Sequence, residues 1–255
     1  YCMQANLRRL LVEFGGTSPS YNIYQGFDFK NIPWGYEIRV KGELVLRNRP
    51  TYIGGLPVNF PFGIPASVLM GTSTWINFYA RRGFDILTYK TVRTKAEDAH
   101  IAPNWAFVHS PKPINSPKDF SLVQTASSSP QSWPDDTANV TTVNSFGVPS
   151  MPASWWREDI AKAKASLREG QILLVSVVGS SSGDWSLDQL AEDYAQAAEW
   201  AEEAGADIVE LNLSCPNVPG APEGDLYLYK DESSYVSRKV KERLKRVPLF
   251  IKIAY

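Results

Sequence analysis

The stretch Asn212-Leu213-Ser214-Cys215-Pro216-Asn217-Val218-Pro219-Gly220 gathers two carboxamides, a hydroxyl and a thiol into one short segment. Carboxamides both donate and accept hydrogen bonds, and a thiol can ionise and take up a proton. Buried in a core, each of these groups would need a partner. Displayed to a ligand, they bind a flat polar molecule and supply a base. The preceding run Ala206-Asp207-Ile208-Val209-Glu210-Leu211 reads as a short buried strand, and Pro222 and Gly224 mark a loop beyond. The polar groups therefore lie at a strand end. Two lysines deserve the same scrutiny. Lys90 follows a second candidate strand, and Lys252 interrupts the apolar run Phe250-Ile251-Lys252-Ile253-Ala254. A lysine with apolar neighbours on both sides must find a countercharge or shift its pKa.

Plainer readings compete with these. An isolated cysteine at a strand end is most often structural. Asn217-Val218-Pro219-Gly220 is also good turn chemistry. Lys90 alone is a solvated strand end, and Ser67 and Ser176 alone are small core residues. Turn chemistry leaves Asn212 and Lys252 unexplained, which favours a site. His100 and His109 have no carboxylates at metal-ligand spacing, so no metal is expected. No Gly-x-Gly-x-x-Gly or Walker pattern occurs.

The elements that position these residues alternate in type. Apolar runs at Ala66–Met70, Phe84–Thr88, Ile172–Val178, Ala206–Leu211 and Leu249–Ala254 read as strands. Between them lie candidate helices at Trp75–Arg82, at Trp155–Glu169 with Ser154 as N-cap, from Ser186 to Gly205, and at Glu232–Arg246. Ser186-Leu187-Asp188-Gln189 fits a capping box. Ile172–Val178 is apolar on both faces, as a buried parallel strand should be. This order implies a parallel sheet, either in an eight-stranded barrel or in a doubly wound fold. Residues 1–50 are irregular and rich in Tyr, Gly and Pro, with a short amphipathic helix expected at Asn6–Phe14 and strand-like alternation at Tyr36–Leu46. Lys95–Val140 is polar and without periodicity, which predicts a functional or partly disordered loop.

Across about Thr51 to Tyr255 the chain resembles the dihydroorotate dehydrogenase family, and most closely its soluble branch with a cysteine base. The membrane-associated branch carries serine at the position of Cys215. The resemblance rests on four further segments in the family's order. Pro61–Ser67 looks like the entry to the first barrel strand, and Leu87-Thr88-Tyr89-Lys90-Thr91 is similar to the strand whose lysine touches flavin and substrate. Val143-Asn144-Ser145-Phe146-Gly147-Val148-Pro149 matches the loop that holds the substrate, and Ile251-Lys252-Ile253 the strand whose lysine lies against the flavin ring. The resemblance implies an α/β fold, a (β/α)8 TIM barrel of which about five strands are present, over residues 51–255. It implies FMN as cofactor and oxidation of dihydroorotate to orotate. Cys215 would be the base. Lys90, Asn144, Ser145, Phe146, Gly147, Val148, Asn212 and Asn217 would hold substrate. Ser67, Lys90, Thr91, Asn212 and Lys252 would hold cofactor. Fumarate or another soluble oxidant and a homodimer are the implied partners.

The match has departures. The segment between Lys90 and Asn144 is long for the soluble branch, and the residues before Ala66 match poorly. Gly71-Thr72-Ser73-Thr74 and Leu87–Lys90 also resemble dihydropyrimidine dehydrogenases, which carry histidine where this chain has Asn217. Other readings are a non-catalytic barrel serving as a scaffold, and a barrel lyase or aldolase using Lys252 as a Schiff-base nucleophile. Five strands where a barrel needs eight imply a truncated chain, aggregation-prone by itself and unable to retain FMN.

Bulk properties narrow the function classes. In 255 residues, 26 basic and 27 acidic side chains give a net charge of -1, so no basic field draws nucleic acid or an anionic membrane. The longest strongly apolar run, Ile172–Val178, is far too short to span a bilayer. No signal peptide pattern opens the chain. Two distant cysteines argue against a disulfide framework and for a cytoplasmic setting.

Overall fold

The computed structural model describes residues 37–40, 43–46, 51–101, 104–109, 124–125, 141–181, 185–215 and 222–253. The helix expected at Asn6–Phe14 lies outside them. In chain order, β1 (Glu37–Val40) and β2 (Glu43–Leu46) pair as an antiparallel hairpin, as the alternation there predicted. A second hairpin joins β3 (Thr51–Ile53) to β4 (Leu56–Val58). Its two-residue loop is Gly54-Gly55, with φ of 58° and 85°. Positive φ at both central residues is what the favoured hairpin turn requires, and glycine supplies it without strain.

β5 (Gly63–Ile64), β6 (Ile86–Val92), β10 (Ile172–Val177), β11 (Ile208–Asn212) and β12 (Leu249–Lys252) make one parallel sheet. Their order in space is β5-β6-β10-β11-β12, the order along the chain. A doubly wound sheet reverses direction at a switch point, whereas a barrel adds each strand beside the last. The topology is therefore that of an open section of a (β/α)8 barrel. The first barrel strand is β5 and not Ala66–Met70. There Ser67 Oγ accepts from Leu69 N at 3.3 Å and caps a 3-10 turn, Val68–Met70. Gly63 lets β5 lie close to β6, because a Cβ there would stand 2.3 Å from the Ile86 carbonyl oxygen.

Four longer helices pack on the outer face: α1 (Ser73–Ala80), α2 (Ala153–Ala165), α3 (Leu187–Glu203) and, beyond the short α4 (Pro222–Asp225), α5 (Lys230–Arg243). The capping box opens α3, with the Ser186 and Gln189 side chains each bonded to the other's backbone. Helix α2 begins earlier than expected, at Ala153 after Pro152, so Ser154 is not its cap. Helix α5 carries Asp231 and Glu232 in its first turn and Lys241 and Arg243 in its last, matching its dipole.

Strand alternation divides the core in two. Outward-facing Leu87, Leu173, Val175, Val177, Val209 and Leu211 join Trp156, Ile160, Tyr194 and the alanine face of α3. The small residues of α3 let its backbone approach the sheet closely. Inward-facing Ile172, Leu174 and Ile208 meet Val58, with Ile53, Leu56, Ile86 and Phe250 around them. The β3–β4 hairpin thus covers the inner face at the amino-terminal end of the strands. On the outer side, Asp159 of α2 accepts from Ser73 N and Ser73 Oγ at 2.6 Å each and from the Tyr89 hydroxyl at 2.7 Å. Burial, and then this carboxylate, push the Tyr89 phenol well up from its ordinary pKa. Asp159→Ala strands those buried donors and should destabilise the fold by about 3 kcal/mol, read as a lowered urea midpoint. An unchanged midpoint would remove Asp159 from the account of stability.

Residues His100–Phe146 belong to a separate compact unit. The polar stretch is not a bare loop. Among its described residues, β7 (Trp105–His109) pairs antiparallel with both β8 (Gln124–Thr125) and β9 (Thr141–Asn144).

Candidate active site

The carboxyl ends of β6, β10, β11 and β12 carry the polar residues. Val175 lies opposite Tyr89, but Val177 lies opposite Val92, so β6 holds one residue more than β10 over that interval. This bulge breaks the alternation. Tyr89 and Val92 both face outward, leaving Lys90 and Thr91 as consecutive inward residues. Thr91 Oγ1 lies 3.0 Å from Ser176 Oγ, which itself points inward from β10. Lys90, expected just past its strand, lies within it.

On β11 the inward positions are Ile208, Glu210 and Asn212, and Asn212 stands in register with Lys252 of β12. The Asn212 Oδ1 atom accepts from Ser214 N at 3.2 Å, turning the chain as it leaves the strand. Its main-chain oxygen accepts from the Tyr194 hydroxyl at 3.1 Å. Leu213 N continues the ladder to Lys252 O, and Cys215 N donates to Gly224 O at 3.0 Å. Cys215 is a free thiol, 8% exposed.

These groups share one electrostatic environment. Burial lowers the Lys90 pKa from the ordinary lysine value, the Cys215 thiolate raises it, and the Lys252 and Arg93 cations lower it again; the net direction is down. No carboxylate among the described residues forms an ion pair with Lys90 or Lys252. Two inward ammonium groups that no carboxylate among the described residues pairs fit an anionic ligand or a group that gains negative charge during reaction. Gly71 leaves space beside Lys90, since a Cβ there would be 3.8 Å from Lys90 Cδ. Ser67, on the same connection, is half-buried as the cap of the 3-10 turn.

The other expected residues belong to other elements. Asn144 ends β9 opposite Trp105. Ser145 N donates to Asn104 O at 2.8 Å, and Phe146 O accepts from His100 N at 3.1 Å, all within the unit His100–Phe146. Gly147 adopts a φ of 74° and is buried, and Val148 is buried with its carbonyl bound to Arg93 Nε. Asn217 lies outside the described residues.

Three charged residues escaped the sequence reading. Glu210 carried the same signal as Lys252, a charge inside an apolar strand. Its Oε1 is buried without a hydrogen-bond partner among the described residues. Arg93 and Glu223 form a buried ion pair at 3.3 Å, and nothing in their local sequence announces it. Among the described residues no group of three or more His, Cys, Asp or Glu could hold a metal. No described helix is long and apolar enough to cross a membrane.

A parallel α/β sheet in barrel order, with cations, a carboxamide and a thiol at its carboxyl ends, defines a (β/α)8-barrel protein with its site in the usual place. The family description "Dihydroorotate dehydrogenase" matches residues 129–255. A dihydroorotate dehydrogenase of Dictyostelium discoideum is 34% identical over 197 residues, 76% of this chain and 51% of that protein. A dihydroorotate dehydrogenase A (fumarate) of Lactococcus lactis subsp. cremoris is 35% identical over 82 residues, 32% of this chain and 24% of that protein. The corresponding protein of Lactococcus lactis subsp. lactis is 31% identical over 81 residues. The chain belongs to the dihydroorotate dehydrogenase family. It spans about half the length of the Dictyostelium relative and about a quarter of the bacterial ones.

Proposed function

We propose that this site serves an FMN-dependent dihydroorotate dehydrogenase that oxidises dihydroorotate to orotate in pyrimidine biosynthesis. The observation that carries the reading is the inward pair Lys90 and Lys252, with Cys215 near enough to act electrostatically on Lys90 and no carboxylate among the described residues paired to either lysine. Bound FMN supplies the hydride acceptor. Cys215, as thiolate, takes the proton from the carbon next to the one that loses hydride. Asn212, with Asn144, Ser145, Phe146, Gly147, Val148 and Asn217, holds the ring and carboxylate of the substrate. Lys252 and Lys90, with Ser67, Thr91 and Asn212, hold the cofactor, and the Lys252 charge opposes the negative charge that develops there. The names of the Lactococcus relatives support fumarate as the oxidant. A homodimer in the cytoplasm completes the reading.

The test uses the full-length protein. It should purify yellow, bleach on anaerobic addition of dihydroorotate, and regain colour with fumarate. Faster bleaching by dihydrouracil would favour the related dihydropyrimidine chemistry, which Gly71–Thr74 resembles. A colourless protein that takes up no added FMN would leave the scaffold and the Lys252 Schiff-base readings.

A further inference from the structure

Arg93 is 3% exposed and lies just past β6, three residues beyond Lys90. Its Nε donates to Val148 O at 3.0 Å. Its Nη1 donates to Gly179 O at 2.5 Å and reaches Ser180 Oγ and Glu223 Oε1 at 3.3 Å each. Its backbone N–H donates to Ser150 Oγ, and its carbonyl accepts from Trp156 Nε1. One guanidinium therefore ties together the ends of β6 and β10, the segment after Gly147 and the α4 segment.

Glu223 carries that tie to the thiol. It is 4% exposed, and its second oxygen accepts from Ser181 Oγ. The next residue, Gly224, presents the carbonyl that receives Cys215 N–H. A buried ion pair is a poor source of net stability, because removing two charges from water costs about as much as their attraction returns. It does fix geometry: both partners here are bonded to groups from different elements, so neither can move alone.

We infer that Arg93 and Glu223 are positioning residues that hold Cys215 at its working place relative to Lys90, by clamping the Gly224 carbonyl to the ends of β6 and β10. The inference rests on the reading of Cys215 as the base.

Full-length, FMN-loaded protein tests it by anaerobic stopped-flow at saturating dihydroorotate. Misplacement of a reacting group by about 1 Å can cost a hundredfold. Arg93→Gln should therefore slow bleaching about ten- to a hundredfold with FMN content retained. Glu223→Gln keeps shape and loses charge, and should slow it about three- to tenfold. Because the clamp acts through the thiol, Arg93→Gln in a Cys215→Ala background should change the residual rate by less than about twofold. An equal loss with and without Cys215 would show a structural role only and overturn the inference. So would parent rates in both single variants. If Arg93→Gln does not fold, Glu223→Gln decides alone. A Cys215→Ala protein at the parent rate would overturn the base assignment and the clamp together. An inert clamp beside a crippled Cys215→Ala overturns the clamp only.

Discussion

Cys215→Ala in the full-length protein is expected to bleach with dihydroorotate about a hundred to ten thousand times more slowly than the parent, the usual cost of losing a general base. FMN content should not change, since the thiol is not among the groups that hold the cofactor in this reading. Cavity formation at an 8% exposed cysteine removes one small side chain, so the fold should survive. Cys215→Ser tests the chemistry separately from the packing. A hydroxyl is a weaker acid than a thiol, so residual activity should rise with pH beyond the range where the parent levels off. A Cys215→Ala rate equal to the parent's would end the assignment.

Lys252→Ala is expected to weaken FMN retention and to make the cofactor harder to reduce. Lys252 stands beside Asn212 in register, and no carboxylate among the described residues neutralises it. Its charge is therefore available to a ligand. Removing a fixed charge aimed at a developing anion commonly costs about a hundred- to a thousandfold in rate. If about 1.4 to 3 kcal/mol of that is expressed in the redox equilibrium, the midpoint potential falls by about 30 to 60 mV for a two-electron couple. Lys252→Glu should be worse. A redox titration giving the parent's potential at full cofactor occupancy would contradict the role.

Much of this was legible in the chain, for identifiable reasons. Ile172–Val177 shows itself as a buried strand because both of its faces are covered and both must be apolar. Helix α3 declares its start through Ser186 and Gln189. Lys252 stood out because charge inside an apolar strand needs an explanation. The first barrel strand was misplaced because β5 has only Gly63 and Ile64, too short for any periodicity. The Ala66–Met70 run was apolar enough for a strand, yet Ser67 capped a turn within it. Strand β7 hid in a polar stretch because its antiparallel partner β9 starts more than thirty residues later. Arg93 and Glu223 were invisible for a related reason. They lie 130 positions apart, and only the fold makes a pair of them.

The extra residue in β6 has a consequence for how this sequence can change over generations. Substitution at Lys90 or Thr91 alters one side chain and leaves its neighbours in place. Losing one residue between Tyr89 and Val92 would restore the regular ladder with β10, leaving one inward side chain where there are now two. Val92 would still face outward opposite Val177, and Arg93 beyond it would keep its place, so the damage would fall on the site alone. The extra residue is what lets one interval of strand present both Lys90 and Thr91 to the site. Among descendants that keep the site, alignments should show lysine retained at position 90 and no gap between Tyr89 and Arg93.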